Sequence, residues 1–117
     1  MVETVEALKN VDAIVNTPGV DAVYVGPADL SISLGLPPGN NDDDRTFTDA
    51  LNTIVAACKN AGVVAGIHST GSLTPKRLEQ GFTMVTVTAD NVAMGVGVRA
   101  ELAKARGGDG SGDGSMY

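Results

Sequence analysis

Two carboxylates are the residues of this chain best placed to do chemistry together. Glu3 and Asp29 are 26 residues apart, and Asp29 sits in the run Gly26-Pro27-Ala28-Asp29-Leu30-Ser31, directly after the apolar stretch Ala22-Val23-Tyr24-Val25. That separation is about one strand-plus-helix unit. Each carboxylate therefore falls just past the C-terminal end of one of two successive strands. Parallel neighbours lie about 4.8 Å apart, so the two side chains would converge at the end of the sheet where α/β folds carry their sites. Like charges at that range raise each other's pKa unless a cation lies between them. Oxygen-only ligation with room for water suits Mg²⁺ or Mn²⁺, with Co²⁺ as a further candidate. The same residues also have a purely structural reading, with Glu3 capping a helix start and Asp29 capping a turn at Leu30. At the level of sequence both readings stand.

The other reactive residues carry less. His68 is the only histidine and follows a strand-like run, which is where a general base would sit, but a lone loop histidine is more often simply exposed. No catalytic residue is assigned. Cys58 falls on the apolar stripe of a helix and reads as an inert core thiol. Asp42-Asp43-Asp44 reads as a solvated loop leading into a helix N-terminus. Gly95-Val96-Gly97-Val98-Arg99-Ala100 matches G-x-G-x-x-A, but inside an expected helix rather than the turn after a strand, so dinucleotide binding is not expected.

Positioning these groups requires alternating strands and helices. A helix is predicted over Thr4 to Val15, capped by Thr4, then a strand over Val20 to Val25. A long loop from Gly26 to Arg45 follows, with a helical turn at Leu30 to Leu34. Loops of that length are usually functional or mobile. The clearest helix spans Phe47 to Ala61, with Thr46 as N-cap and Gly62 ending it. A strand over Val63 to Ile67, a short helix from Thr74 to Gly81, a strand over Phe82 to Thr88 and a helix over Asp90 to Arg106 complete the order. The fold class is α/β with a parallel sheet and right-handed crossovers. It amounts to about the last four βα units of a (β/α)8 TIM barrel, which typically needs about 250 residues. An open three- or four-stranded sheet is the alternative. Residues 1–106 read as this partial barrel. Residues 107–117 read as a tail, nine of them Gly, Asp or Ser, too polar to bury a core.

Composition agrees with this architecture. Apolar residues make up 43% of the 117 residues, aromatics only 3%, and Trp is absent. The core must therefore be built from Val, Ala, Leu and Ile, as in buried parallel strands. A net charge of −6 argues against nucleic acid and against an anionic membrane surface. One cysteine allows no internal disulfide and fits a reducing, cytoplasmic setting. No apolar run approaches the roughly 20 residues of a membrane span. Only two residues precede Glu3, fewer than the roughly five of a strand, so an upstream half is expected.

The run Met1-Val2-Glu3-Thr4, then Ala7-Leu8, Pro18-Gly19-Val20-Asp21 and Gly26-Pro27-Ala28-Asp29-Leu30-Ser31 with Leu34-Gly35, resembles the HpcH/HpaI aldolase family, class II pyruvate aldolases related to the citrate lyase β-subunit. The resemblance covers about residues 1 to 106 and only the C-terminal half of a family member. It implies a metal-dependent lyase that cleaves a 4-hydroxy-2-oxo (2-keto-3-deoxy) acid to pyruvate and an aldehyde. By position it implies Glu3 and Asp29 as metal ligands, and Ala28 and Asp29 as backbone donors to the substrate carboxylate. It also implies a homo-oligomer when full length. The family's catalytic histidine and substrate-binding arginine come from earlier strands, and His68 does not match that histidine. A truncated product or pseudo-enzyme, binding metal or a partner subunit without turnover, is the alternative.

Overall fold

Local chemistry sets the first elements. The computed structural model describes residues 1–108; most of the expected tail lies outside the described residues. Thr4 is extended and its Oγ1 accepts from the Ala7 N–H at 3.0 Å, so it caps α1 (Val5–Lys9). The single helix expected over Thr4 to Val15 is in fact two. Asn10 sits between them at φ −103°, ψ 12°, and its amide nitrogen donates to the Glu6 carbonyl at 2.8 Å. A short amide side chain that competes for backbone acceptors is what interrupts a helix. The second piece is α2 (Val11–Val15).

The chain continues through β1 (Ala22–Val25) and α3 (Pro27–Ser33). The helical turn expected from Leu30 begins three residues earlier because Pro27 occupies the first helical position, where its missing N–H costs nothing. Next come α4 (Arg45–Ala61), β2 (Val64–Ile67), α5 (Thr74–Glu79) and β3 (Met84–Val85). The cap of α4 is Asp44 rather than Thr46. Its Oδ1 accepts from the N–H groups of Thr46 at 2.7 Å and Phe47 at 3.2 Å. At the other end Gly62 adopts φ 71°, a left-handed conformation that other residues reach only at a cost.

The three strands are parallel in the order β1-β2-β3, with Ala22 opposite Val64 and Ile67 opposite Val85. β3 is shorter than the predicted strand over Phe82 to Thr88. Its flanking bonds to β2 are donated by the Thr83 and Thr86 N–H groups, and among the described residues no strand pairs with its other edge. Side chains alternate across the sheet. Val23, Val25, Ala65 and Ile67 join Val11, Val15, Phe47, Leu51 and Ile54 in one buried core. Removing Phe47, Leu51 or Ile54 from water contributes about 1.5–3 kcal/mol each. The opposite face carries Tyr24 and Gly66, with Val64 40% and Met84 41% exposed.

The long loop after α3 is pinned. Buried Ser31 donates to the Gly39 carbonyl at 2.8 Å and accepts from Asn41 at 2.8 Å. Arg77 of α5 is fully buried and reaches across to Asp42 (2.8 and 3.1 Å), Asn40 (2.8 Å) and Gln80 (2.7 Å). Asp42 is thus an ion-pair partner with a side chain 12% exposed, not the solvated loop residue expected. The chain divides into two compact units, residues 1–87 and 88–117. The described part of the second is α6 (Asp90–Ala105). It contains the whole G-x-G-x-x-A match, so Gly95 and Gly97 lie in a helix and not in a turn after a strand.

Two measurements check this packing. Arg77→Ala leaves Asp42 without its buried partner and is expected to destabilise the protein by about 3 kcal/mol, read as a lower urea midpoint at unchanged slope. Cys58 is 1% exposed, and burial raises its thiol pKa above the ordinary value of 9.0. The folded state therefore favours the neutral thiol. That stabilising contribution is complete below pH 9 and declines as the unfolded chain ionises above it. Iodoacetamide should accordingly modify Cys58 only at the rate of unfolding.

Candidate functional site

Three backbone features bring Glu3 and Asp29 together. The Val2 N–H donates to the Tyr24 carbonyl at 2.9 Å, so Met1–Glu3 runs beside β1 on the edge away from β2. Glu3 therefore leaves that edge level with Gly26, the residue that ends β1. The Val5 N–H donates to Ser33 Oγ at 2.9 Å, which ties the start of α1 to the end of α3. Asp29 then falls in the first turn of α3, three residues past Gly26.

Gly26 lies between the two carboxylates. A Cβ built on it would stand 2.6 Å from Glu3 Oε2, 3.2 Å from Asp29 Oδ2 and 3.5 Å from Met1 Cε. Its backbone angles, φ −95° and ψ 101°, are open to any residue. Glycine is needed here for the space and not for the conformation. Both carboxylate oxygens therefore flank one small volume above a bare Cα. Glu3 Oε2 is buried there with no hydrogen-bond partner. A buried charged oxygen without a partner costs several kcal/mol unless something not yet named satisfies it.

The two structural roles open to these residues are not the ones they play. Thr4, not Glu3, caps α1, and no side chain caps α3, whose N-cap is Gly26. With Pro27 at the first position, the N–H groups of Ala28 and Asp29 are among the free donors that every helix start presents. An open cleft of about 240 Å³ lies over them, lined by Met1, Tyr24, Gly26, Pro27, Ala28, Asp29 and His68. Oxygens of Glu3 and Asp29 thus flank the same space over Gly26, and Ala28 and Asp29 line the cleft.

Two residues outside the predicted site also border the cleft, and His68 is exposed, as expected of a lone loop histidine. His68 lines the cleft, and its Nδ1 lies 3.4 Å from the Tyr24 hydroxyl, which also bonds to Thr86 Oγ1. The strand alternation held the signal. Tyr24 pairs with Gly66 in register, so Tyr24 and His68, two residues beyond Gly66, share a face.

The family model for HpcH/HpaI aldolase/citrate lyase matches residues 1–94. The chain belongs to the HpcH/HpaI aldolase/citrate lyase family. It is 33% identical over 107 residues to a hydroxypyruvate/pyruvate aldolase of Rhizorhabdus wittichii, covering 91% of this chain and 43% of that protein. It is 40% identical over 93 residues to a 2-keto-3-deoxy-L-rhamnonate aldolase of Klebsiella pneumoniae, covering 78% and 34%. An HpcH/HpaI family protein from Burkholderia cenocepacia superposes with a TM-score of 0.80 at 34% identity, covering 90% of this chain and 40% of that one. The chain therefore spans less than half the length of these relatives. Its parallel strands are part of a TIM-barrel-like α/β fold.

The bare Cα of Gly26 gives a direct test. Gly26→Ala is expected to keep the fold, because the atom it displaces is the end of a flexible side chain. It should weaken Mn²⁺ binding by about tenfold or more, measured by isothermal titration beside a urea melt.

Proposed function

We propose that this chain carries the cation and oxo-acid half of a carbon–carbon lyase. The substrate would be a 4-hydroxy-2-oxo acid of the 2-keto-3-deoxy type, and the products pyruvate and an aldehyde. The observation that carries this reading is the unpartnered, buried Glu3 Oε2 facing Asp29 across Gly26. A divalent cation fits that requirement, with Glu3 and Asp29 as its protein ligands. Among the described residues no third His, Cys, Asp or Glu joins them, which leaves positions for water and substrate oxygens, as Mg²⁺ or Mn²⁺ favours. When bound, such an ion supplies Lewis-acid polarisation of the 2-oxo group.

The chain's own groups then hold the substrate. The backbone N–H groups of Ala28 and Asp29 donate to its carboxylate, so the 2-oxo oxygen faces the two acids. In the cleavage the C3–C4 bond breaks, its electron pair stays on C3 of the three-carbon fragment, the 4-hydroxyl gives up its proton to solvent as the aldehyde forms, and C3 takes up a proton from solvent to give pyruvate. Both carboxylates are committed to the cation and are not assigned that proton. The names of the relatives favour an aldolase over other lyases of the family. Among the names, 2-keto-3-deoxy-L-rhamnonate is an acid of the proposed class, and hydroxypyruvate and pyruvate are three-carbon 2-oxo acids.

A reducing, cytoplasmic setting fits the buried, unpaired Cys58, and no described helix is long and apolar enough to cross a membrane. A homo-oligomer is part of the proposal for the full-length protein. One observation favours the second reading, a chain that binds metal or a partner without turnover. Val64 and Met84 stand 40% and 41% exposed on the cleft-side face of the sheet, where further strands would cover them.

Titrating Mn²⁺ into the protein and into Asp29→Asn tests the site. Loss of one ligand should weaken binding by about tenfold or more, and equal affinities would refute the assignment. Pyruvate release from a 2-keto-3-deoxy acid, abolished in Asp29→Asn, separates the lyase from the binding-only reading.

A further inference from the structure

The cleft has a second polar side that the cation and carboxylate contacts do not use. Across the C-terminal ends of the strands the order is Glu3, then Gly26–Asp29 after β1, then His68 after β2. Adjacent strands are about 4.8 Å apart. An oxo acid whose head lies at Ala28 and Asp29 therefore extends its far end toward His68, which lines the same cleft.

The imidazole is exposed and faces a polar pair across the sheet. Tyr24 Oη lies 3.4 Å from His68 Nδ1 and is also bonded to Thr86 Oγ1. Both contacts are satisfied when Thr86 donates to Tyr24 and Tyr24 to Nδ1, and equally when Nδ1–H donates to Tyr24 and Tyr24 to Thr86. The first order leaves Nε2–H as a donor and the second leaves Nε2 as an acceptor. A hydroxyl meets either, being donor and acceptor at once. No Lys or Arg lines this cleft, whereas Asp29 does. Its far end therefore suits a neutral hydroxyl better than a second carboxylate, and a ring nitrogen that goes unmet disfavours an alkyl group.

We propose that His68 selects the aldehyde half of the substrate by a hydrogen bond between Nε2 and a hydroxyl on it, so that the site takes hydroxyaldehydes in preference to alkyl aldehydes. Tyr24 is a positioning residue that acts through His68. The inference rests on the lyase reading above, because it needs the oxo-acid head at Ala28 and Asp29.

A matched pair of probes tests it. Glycolaldehyde and propionaldehyde have the same number of heavy atoms and differ by a hydroxyl in place of a methyl. His68 is the sole histidine, so one ring resonance reports on it in ¹⁵N,¹³C-histidine-labelled protein. With Mg²⁺ and pyruvate present, glycolaldehyde should shift that resonance saturably, at an apparent Kd about fivefold below that of propionaldehyde. In His68→Leu, titration calorimetry should show the preference gone while pyruvate affinity is kept. Tyr24→Phe removes the hydroxyl beside Nδ1 and should shift the ring ¹⁵N resonances and reduce the preference. Equal affinities for the two aldehydes with pyruvate still bound, or a preference that survives His68→Leu, would overturn the proposal and leave the lyase reading intact. Absence of pyruvate binding in the presence of Mg²⁺ would overturn both.

Discussion

The hydrogen bond from the Val2 N–H to the Tyr24 carbonyl is the constraint on which the site depends. It places Met1–Glu3 parallel to β1 and in a fixed register. A strand's side-chain period is two, so a slip of one residue would turn Glu3 to the other face. With the register set, Glu3 comes level with Gly26, three residues before Asp29. The remaining elements maintain that register. Ser33 holds the start of α1, Pro27 starts α3 one residue past Gly26, and the inward residues of β1 and β2 join those of α4 in one core.

Gly26 shows how one missing side chain makes a site out of two ordinary acids. Neither Glu3 nor Asp29 is unusual in its backbone. What is unusual is that they approach the same Cα, at a separation that a methyl group would prevent. In the reading proposed above, a cation supplies the partner that Glu3 Oε2 lacks within the protein, and the donors at Ala28 and Asp29 take the substrate carboxylate.

The loop between α3 and α4 illustrates a different balance. Its length and its Pro, Gly and Asn content mark it as mobile by sequence. The structure instead anchors it from within through buried Ser31 and from across through buried Arg77. Arg77 is 35 residues from Asp42 in the chain, and nothing in the local sequence of either announces the pair. A buried guanidinium with a bidentate carboxylate and two amide acceptors is tolerable only because its charge and nearly all its donors are met. The same fixation limits how far the neighbouring end of α3 can drift.

The sequence by itself determined the order of elements, the parallel sheet and the apolar stripe of α4, and it spaced Glu3 and Asp29 one βα unit apart. Those features rest on local periodicity and on the fixed spacing of one βα unit, both written along the chain. It also carried the family, through the run from Gly26 to Ser31. It did not show the break at Asn10, the cap at Asp44 or the short β3, which depend on which of several hydrogen bonds a side chain makes. Only the tertiary structure decided that Glu3 is unpartnered, that Gly26 is needed for space, and that Arg77 holds Asp42. It alone brought Tyr24, His68 and Thr86 into contact over 62 residues of chain. The reason is the same in each case. These are contacts between strands and loops distant in sequence, and their geometry exists only once register and packing are set.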